Sequence, residues 1–271
     1  MSKKEEENLG NYVKIFYLFM LAQVIGVLLG LDVLSQVGAN YGQRNDVSSG
    51  ISLIVGILLV TVILLILIKF KKSMLFLKLA KYLSVFVAFS ILGIYITNYD
   101  YMLGPIDINS SYFIGLLGIV SFILLPELQN LILAITTGVI GGIIGVSLGP
   151  LPMIIFVALI AVYDYIAVFK TKHMVTMAKD MKDNKESFAI QYLAKPIMVG
   201  TGDFAIPAGL STSLAFYNPI IGIAAMIGSF IGFYFILFKM AGKGKYLPAI
   251  PPIVFFQLLF AVIAWLGILI F

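Results

Sequence analysis

Residues 196–217 read PIMVGTGDFAIPAGLSTSLAFY. The run is apolar and long enough for a membrane helix, yet it carries a bare carboxylate, Asp203, directly after Gly200, Thr201 and Gly202. A charge at mid-bilayer costs from about 2.5 to over 10 kcal/mol, so such a residue is by default a functional candidate. The apolar run before it, 151–169, holds a second carboxylate, Asp164. These two stretches define the fold class and the candidate site together.

Composition agrees with them. The chain has 271 residues, 61% of them hydrophobic and only 11% charged. A soluble domain carries roughly a quarter charged residues. The expectation is therefore an all-α membrane protein, with 1–271 forming a single polytopic, multi-pass domain in the cell membrane and the lipid bilayer as its solvent. The chain has no cysteine, which excludes disulfides, thiolate catalysis and cysteine metal sites. The net charge of +5 reads as membrane topology, with no nucleic-acid binding, because the lysines gather at the ends of apolar runs. The charged start and the length of the first apolar run argue against a cleaved signal peptide.

Nine spans are predicted, over residues 12–31, 51–70, 75–97, 111–125, 131–148, 151–169, 196–217, 219–239 and 247–271. The fourth and fifth are short and are divided by Pro126-Glu127-Leu128-Gln129-Asn130, which suits thin or tilted helices. With nine spans, 17 of the 18 basic residues, all lysines, fall on one side and Arg44 alone on the other. Positive charge marks the inner face, so the N-terminus is expected in the cytoplasm and the C-terminus outside. The loop 170–195 is then cytoplasmic. Its first part carries Phe169, Met174, Met177 and Met181 at helical spacing, which predicts an amphipathic extension along the membrane surface.

Asp164 precedes Lys170 by six residues, about 9 Å of helix, and Asp203 follows Lys195 by eight, about 12 Å. Two carboxylates at matching depth on adjacent antiparallel helices can meet, which is what aspartic-protease chemistry needs. Close carboxylates share one proton. The ionised one takes a proton from the attacking water, and the protonated one donates to the peptide carbonyl and later to the leaving nitrogen. This chemistry needs no metal and no cofactor, and the single histidine, His173, lies in the loop. Either aspartate alone also fits a hydrogen-bonded packing residue, or the cation or proton site of a channel or transporter.

The flanking residues weigh on the choice. Gly200 and Gly202 let another backbone approach closely. Pro207, four residues after Asp203, frees a backbone carbonyl and predicts a kink or opening. In Leu247-Pro248-Ala249-Ile250-Pro251-Pro252, three prolines within five residues cannot form interior helix. The segment reads either as a helix start, where proline is favoured, or as an irregular wall of the site.

Tyr163-Asp164, Gly200-Thr201-Gly202-Asp203 and Pro248-Ala249-Ile250, in this order on the sixth, seventh and ninth spans, look like the YD, GxGD and PAL motifs of the presenilin and signal-peptide-peptidase family of intramembrane aspartyl proteases. The third motif departs in having Ile250 where the family pattern has leucine. The sixth-to-seventh loop is short beside that of animal presenilins, and the compact chain resembles a prokaryotic, archaeal-type homologue that needs no obligate partner subunit. The resemblance implies nine spans, Asp164 and Asp203 as the catalytic pair, supporting roles for Tyr163, Gly200, Thr201, Gly202, Pro248, Ala249 and Ile250, and transmembrane-helix proteins as substrates. The competing readings are a transporter or channel, an inactive binding homologue and a prepilin-type GxGD peptidase.

Overall fold

Asn218-Pro219 shows how local chemistry sets helix boundaries in the computed structural model of the chain. Asn218 adopts an extended backbone (φ −152°, ψ 121°), and its side chain accepts a 2.9 Å hydrogen bond from the Ile220 N–H. Pro219 then occupies the first helical position, where its missing N–H costs nothing. Gly149-Pro150 opens another helix in the same way, without a side-chain cap.

The structure describes residues 3–37, 47–69, 73–97, 100–103, 106–109, 111–170, 189–192, 197–240 and 247–270. In chain order these form α1 (Lys3–Val37), α2 (Val47–Lys69), α3 (Ser73–Thr97), β1 (Asp100–Leu103), β2 (Ile106–Asn109) and α4 (Ser111–Leu124). A 3₁₀ turn (Pro126–Leu128) leads to α5 (Gln129–Ser147), followed by α6 (Pro150–Phe169), β3 (Ala189–Tyr192), β4 (Ile197–Gly200) and α7 (Gly202–Tyr217). Next come α8 (Pro219–Tyr234), which continues as a wider π turn over Phe235–Met240, and α9 (Ile250–Ile270). Among the described residues six segments are long and apolar enough to cross a bilayer: Leu9–Val33, Leu75–Tyr95, Pro126–Ser147, Pro150–Phe169, Pro219–Lys239 and Ile250–Ile270. Helix α4 is a shorter apolar helix. The amphipathic extension expected after Phe169 falls largely outside the described residues.

Three differences from the sequence reading matter. The expected all-α architecture is present, and to it are added two short antiparallel hairpins, β1 with β2 and β3 with β4. The seventh helix does not start at Pro196. Ile197 to Gly200 are strand, in register with Tyr192 to Ala189, and helix begins only at Gly202. The glycines at 200 and 202 disfavour helix there, while Ile197 and Val199 favour strand. The ninth helix likewise starts at Ile250, not Leu247, and residues 247–249 are irregular.

Helix α7 is the axis of the molecule. It packs against α1, α5, α6, α8 and α9, and every residue from Pro207 to Phe216 is buried. That explains how the polar run Ser211-Thr212-Ser213 fits in an apolar bundle, since its neighbours are protein and not lipid. Glycines bring the neighbours close. A Cβ on Gly138 of α5 would lie 2.5 Å from the Ala22 carbonyl oxygen of α1, and one on Gly142 would lie 3.0 Å from that of Gly26. On the other side of α5, Gly141 and Gly145 meet the backbone carbonyls of Ala205 and Gly209 on α7. A larger residue at these positions would wedge the three helices apart.

The buried apolar side chains fall into two main clusters. One joins α1, α3, α4 and α5 to Phe204, Phe233, Ala249 and Ile253. The other joins α6 to Leu210, Leu214, Ile221, Ile250 and Val254. The seam between them passes between two consecutive residues, Ala249 and Ile250.

Candidate active site

Both aspartates lie near helix ends that converge. Asp164 sits five residues before the end of α6, about 8 Å by helical rise. It is buried, with 3% of its surface exposed. Asp203 is in the first turn of α7 and is half-buried. The depth count that treated 196–203 as helix does not apply, because β4 leads to Asp203. The strand rises about 3.3 Å per residue, so its four residues span about 13 Å. Helix α7 itself, with 16 residues, spans about 24 Å, less than a hydrocarbon core of about 30 Å.

The geometry at Asp203 follows from the Gly-Thr-Gly sequence before it. Gly200 ends β4, and its N–H donates to Asp203 Oδ2 at 3.2 Å, closing a turn over residues 200–203. A Cβ on Gly200 would sit 3.3 Å from that same oxygen, so glycine leaves the carboxylate room to approach. Thr201, 7% exposed, is the residue before the first helical turn, and its carbonyl accepts from the N–H groups of Phe204 (3.2 Å) and Ala205 (3.0 Å). Gly202 is exposed, and a Cβ there would meet nothing within 4 Å.

At Asp164 the partner is the start of α9. The Ile250 N–H donates to Asp164 Oδ2 at 3.2 Å. The prolines explain why this donor is available. A helix leaves its first N–H groups without internal partners. Pro251 and Pro252 have no N–H, so Ile250 carries the free donor at the helix start, and Asp164 satisfies it across 86 residues of sequence. Pro248 is half-buried and Ala249 is buried beside it. Tyr163 packs against the α6 cluster. The Pro248 segment therefore serves both as a helix start and as a wall against Asp164.

The two carboxylates are close enough for the charge of Asp164 to act on Asp203. Both α7 and α9 present their N-terminal ends to the pair, and such ends carry partial positive charge. Two neighbouring carboxylates are the groups from which acid and base catalysis would be built. Among the described residues no three His, Asp or Glu side chains gather as a metal site. An apolar cavity of about 220 Å³ is lined by Pro150, Leu214, Tyr217 and Trp265 among others. Pro150 begins α6, 14 residues or about 21 Å from Asp164, so this apolar cavity is not part of the site.

Two residues that touch the helix of Asp203 were not singled out from the sequence. Gln23 of α1 donates through Nε2 to the Phe204 carbonyl at 3.0 Å. Gln257 of α9 donates through Nε2 to the Pro207 carbonyl and to Ser211 Oγ, each at 2.9 Å. Both glutamines lie in apolar runs, and the reasoning that picked out the aspartates applies to them more weakly because an amide is cheaper to bury than a charge. The Phe204 ring is itself held by Phe19 (5.3 Å between ring centres) and Phe233 (5.8 Å). Pro207 does not open α7, which stays helical to Tyr217.

Comparison with known proteins bears on what this geometry is. No curated protein matches the chain significantly. A presenilin family intramembrane aspartate protease solved in space group C222 is similar over 93% of this chain and 97% of its own, at 23% identity and a TM-score of 0.64. A presenilin family intramembrane aspartate protease structure in space group P2 is similar over 93% of this chain and 96% of its own, at 22% identity and a TM-score of 0.65. These likenesses establish the fold. The family described as signal-peptide peptidase, presenilin aspartyl protease matches residues 16–191, a stretch that includes Asp164 and ends before Gly200. With well over half of its length matched, the chain belongs to the signal-peptide peptidase and presenilin family of aspartyl proteases.

Proposed function

We propose that the chain is an intramembrane aspartic endopeptidase in which Asp164 and Asp203 form the catalytic dyad and hydrolyse peptide bonds within transmembrane helices of single-span proteins. The observation that carries this reading is the approach of two carboxylates from α6 and α7 to within electrostatic reach in a member of an aspartyl protease family. The transporter, channel and prepilin-peptidase readings are not favoured by that membership.

In the proposed reaction the ionised carboxylate removes a proton from water as the water attacks the scissile carbonyl. The protonated carboxylate donates to the carbonyl oxygen and then to the departing nitrogen. The Ile250 and Gly200 N–H groups hold the two carboxylates in orientation. A membrane helix must unwind locally before attack, and its freed backbone groups then need partners, at a cost on the order of several kcal/mol each if unmet. The β3–β4 hairpin, between Asp164 and Asp203 in sequence, and the irregular residues 247–249, next to the Ile250 donor of Asp164, can accept such a stretch as an added strand.

Nine spans, a cytoplasmic N-terminus, an outer C-terminus and a cytoplasmic loop over 170–195 complete the proposal. The separation of 17 lysines from Arg44 supports this arrangement. It places the protein in the cell membrane as one polytopic domain, 1–271, with water reaching the pair from the cytoplasmic side. No obligate partner subunit is proposed.

The test is cleavage of single-span substrates in reconstituted vesicles, with products identified by mass spectrometry. Asp164→Asn and Asp203→Asn should each lower turnover by about 10²–10⁴-fold, the range of general acid–base catalysis. Full activity of either variant would falsify the dyad.

A further inference from the structure

Helix α7 has a weak point one turn after Asp203. Pro207 has no N–H, so the Asp203 carbonyl loses the hydrogen bond that a regular helix would give it. Two amide side chains bind the α7 main chain around this gap. Gln23 comes from α1 and donates to the Phe204 carbonyl, and Gln257 comes from α9 and donates to the Pro207 carbonyl and Ser211 Oγ. Gly228 of α8 lets α9 come close at this level, since a Cβ there would lie 2.9 Å from the Gln257 Cα.

Stability alone does not account for these glutamines. Both are fully buried, and among the described residues neither Oε1 has a hydrogen-bond partner. A half-satisfied buried amide stabilises poorly, and an apolar side chain of similar volume is often as good or better. What the amides supply is direction, because each fixes a main-chain carbonyl beside the break to a different neighbouring helix.

We propose that Gln23 and Gln257 are positioning residues that clamp the Pro207 break of α7 from two sides and so hold Asp203 in register with Asp164. This inference rests on the protease reading. Without the clamp, the first turn of α7 can swing about Pro207 while the rest of the helix stays packed. The carboxylates then spend less time at the separation the reaction needs, which lowers turnover more than substrate binding.

The experiment compares the unmodified chain with Gln23→Met and Gln257→Met in vesicles. Either variant should lower kcat by about tenfold, within the loss that small misplacements of catalytic groups produce, with KM within about twofold and the thermal midpoint unchanged or higher. A conservative variant separates positioning from packing. In Gln257→Glu the carboxyl can donate to the Pro207 carbonyl only when protonated, so its turnover relative to the unmodified chain should rise as pH falls. Geometry is read without cleavage by placing spin labels at Tyr165→Cys and Gly202→Cys. Both positions are exposed, and the chain has no cysteine of its own. The label–label distance distribution should broaden in each Met variant. An unchanged distribution overturns the clamp, as does a kcat loss that merely follows a lowered midpoint with no recovery by Gln257→Glu at low pH. If the unmodified chain cleaves no substrate, the protease reading fails, while the distance measurement still decides the clamp.

Discussion

At the scale of single residues, the contact between Asp164 and the start of α9 can be tested by a substitution that removes its N–H donor, together with part of the buried Ile250 side chain. Ile250→Pro deletes the N–H that donates to Asp164 Oδ2 at a helix position where proline is well tolerated. A charge-assisted hydrogen bond contributes about 1.5–3 kcal/mol. Turnover in the vesicle assay should therefore fall by about tenfold to a hundredfold, with α9 still folded by circular dichroism. Retention of full turnover would show that Asp164 needs no such tether. The aspartates were legible because a carboxylate in an apolar run is too costly to be incidental. The donors facing them were not, because a backbone N–H has no letter in the sequence. Only the absence of N–H at Pro251 and Pro252 hinted that Ile250 would be the one left to bond. Gln23 and Gln257 were legible in principle, being polar residues inside apolar runs, but a neutral amide raises a weaker alarm than a charge.

At the scale of elements, the approach of α5 to α7 depends on glycine. A Cβ on Gly141 would press on the Ala205 carbonyl and lie 2.8 Å from the Ala208 Cβ, both on the helix of Asp203. Gly141→Leu should cost about 1–3 kcal/mol or more through overpacking, seen as a lower thermal midpoint in detergent. Gly267→Leu on α9, where a Cβ meets nothing within 4 Å, should leave the midpoint in place. Most helices could be located from apolar runs and from Pro, Gly and Asn at their ends. The start of α7 could not, because Ile197 to Val199 are as apolar as a helix interior and nothing in their hydropathy reveals the pairing with Ile190–Tyr192. Hydropathy reports that a segment avoids water, and it does not distinguish a strand packed within protein from a helix turn.

At the scale of the whole molecule, the lysine distribution makes a claim about orientation that labelling can check. In intact cells an impermeant maleimide should modify Asp46→Cys, and it should reach Lys243→Cys only after permeabilisation. The opposite pattern would invert the topology and reverse the face from which water reaches the pair. The total number of crossings is the least legible property, since α4 and α7, with 14 and 16 residues, are shorter than the roughly 20 that a membrane span ordinarily takes.

The seam between the two hydrophobic clusters has a mechanical consequence. Phe204, next to Asp203, belongs to one cluster, and α6 with Asp164 belongs to the other, while the boundary runs through the Ala249–Ile250 peptide. Helices α7, α8 and α9 contribute to both clusters, through Phe204 and Leu210, Phe233 and Ile221, and Ile253 and Val254. They act as beams shared by the two, so a load placed on either cluster reaches the helix ends that carry the carboxylates.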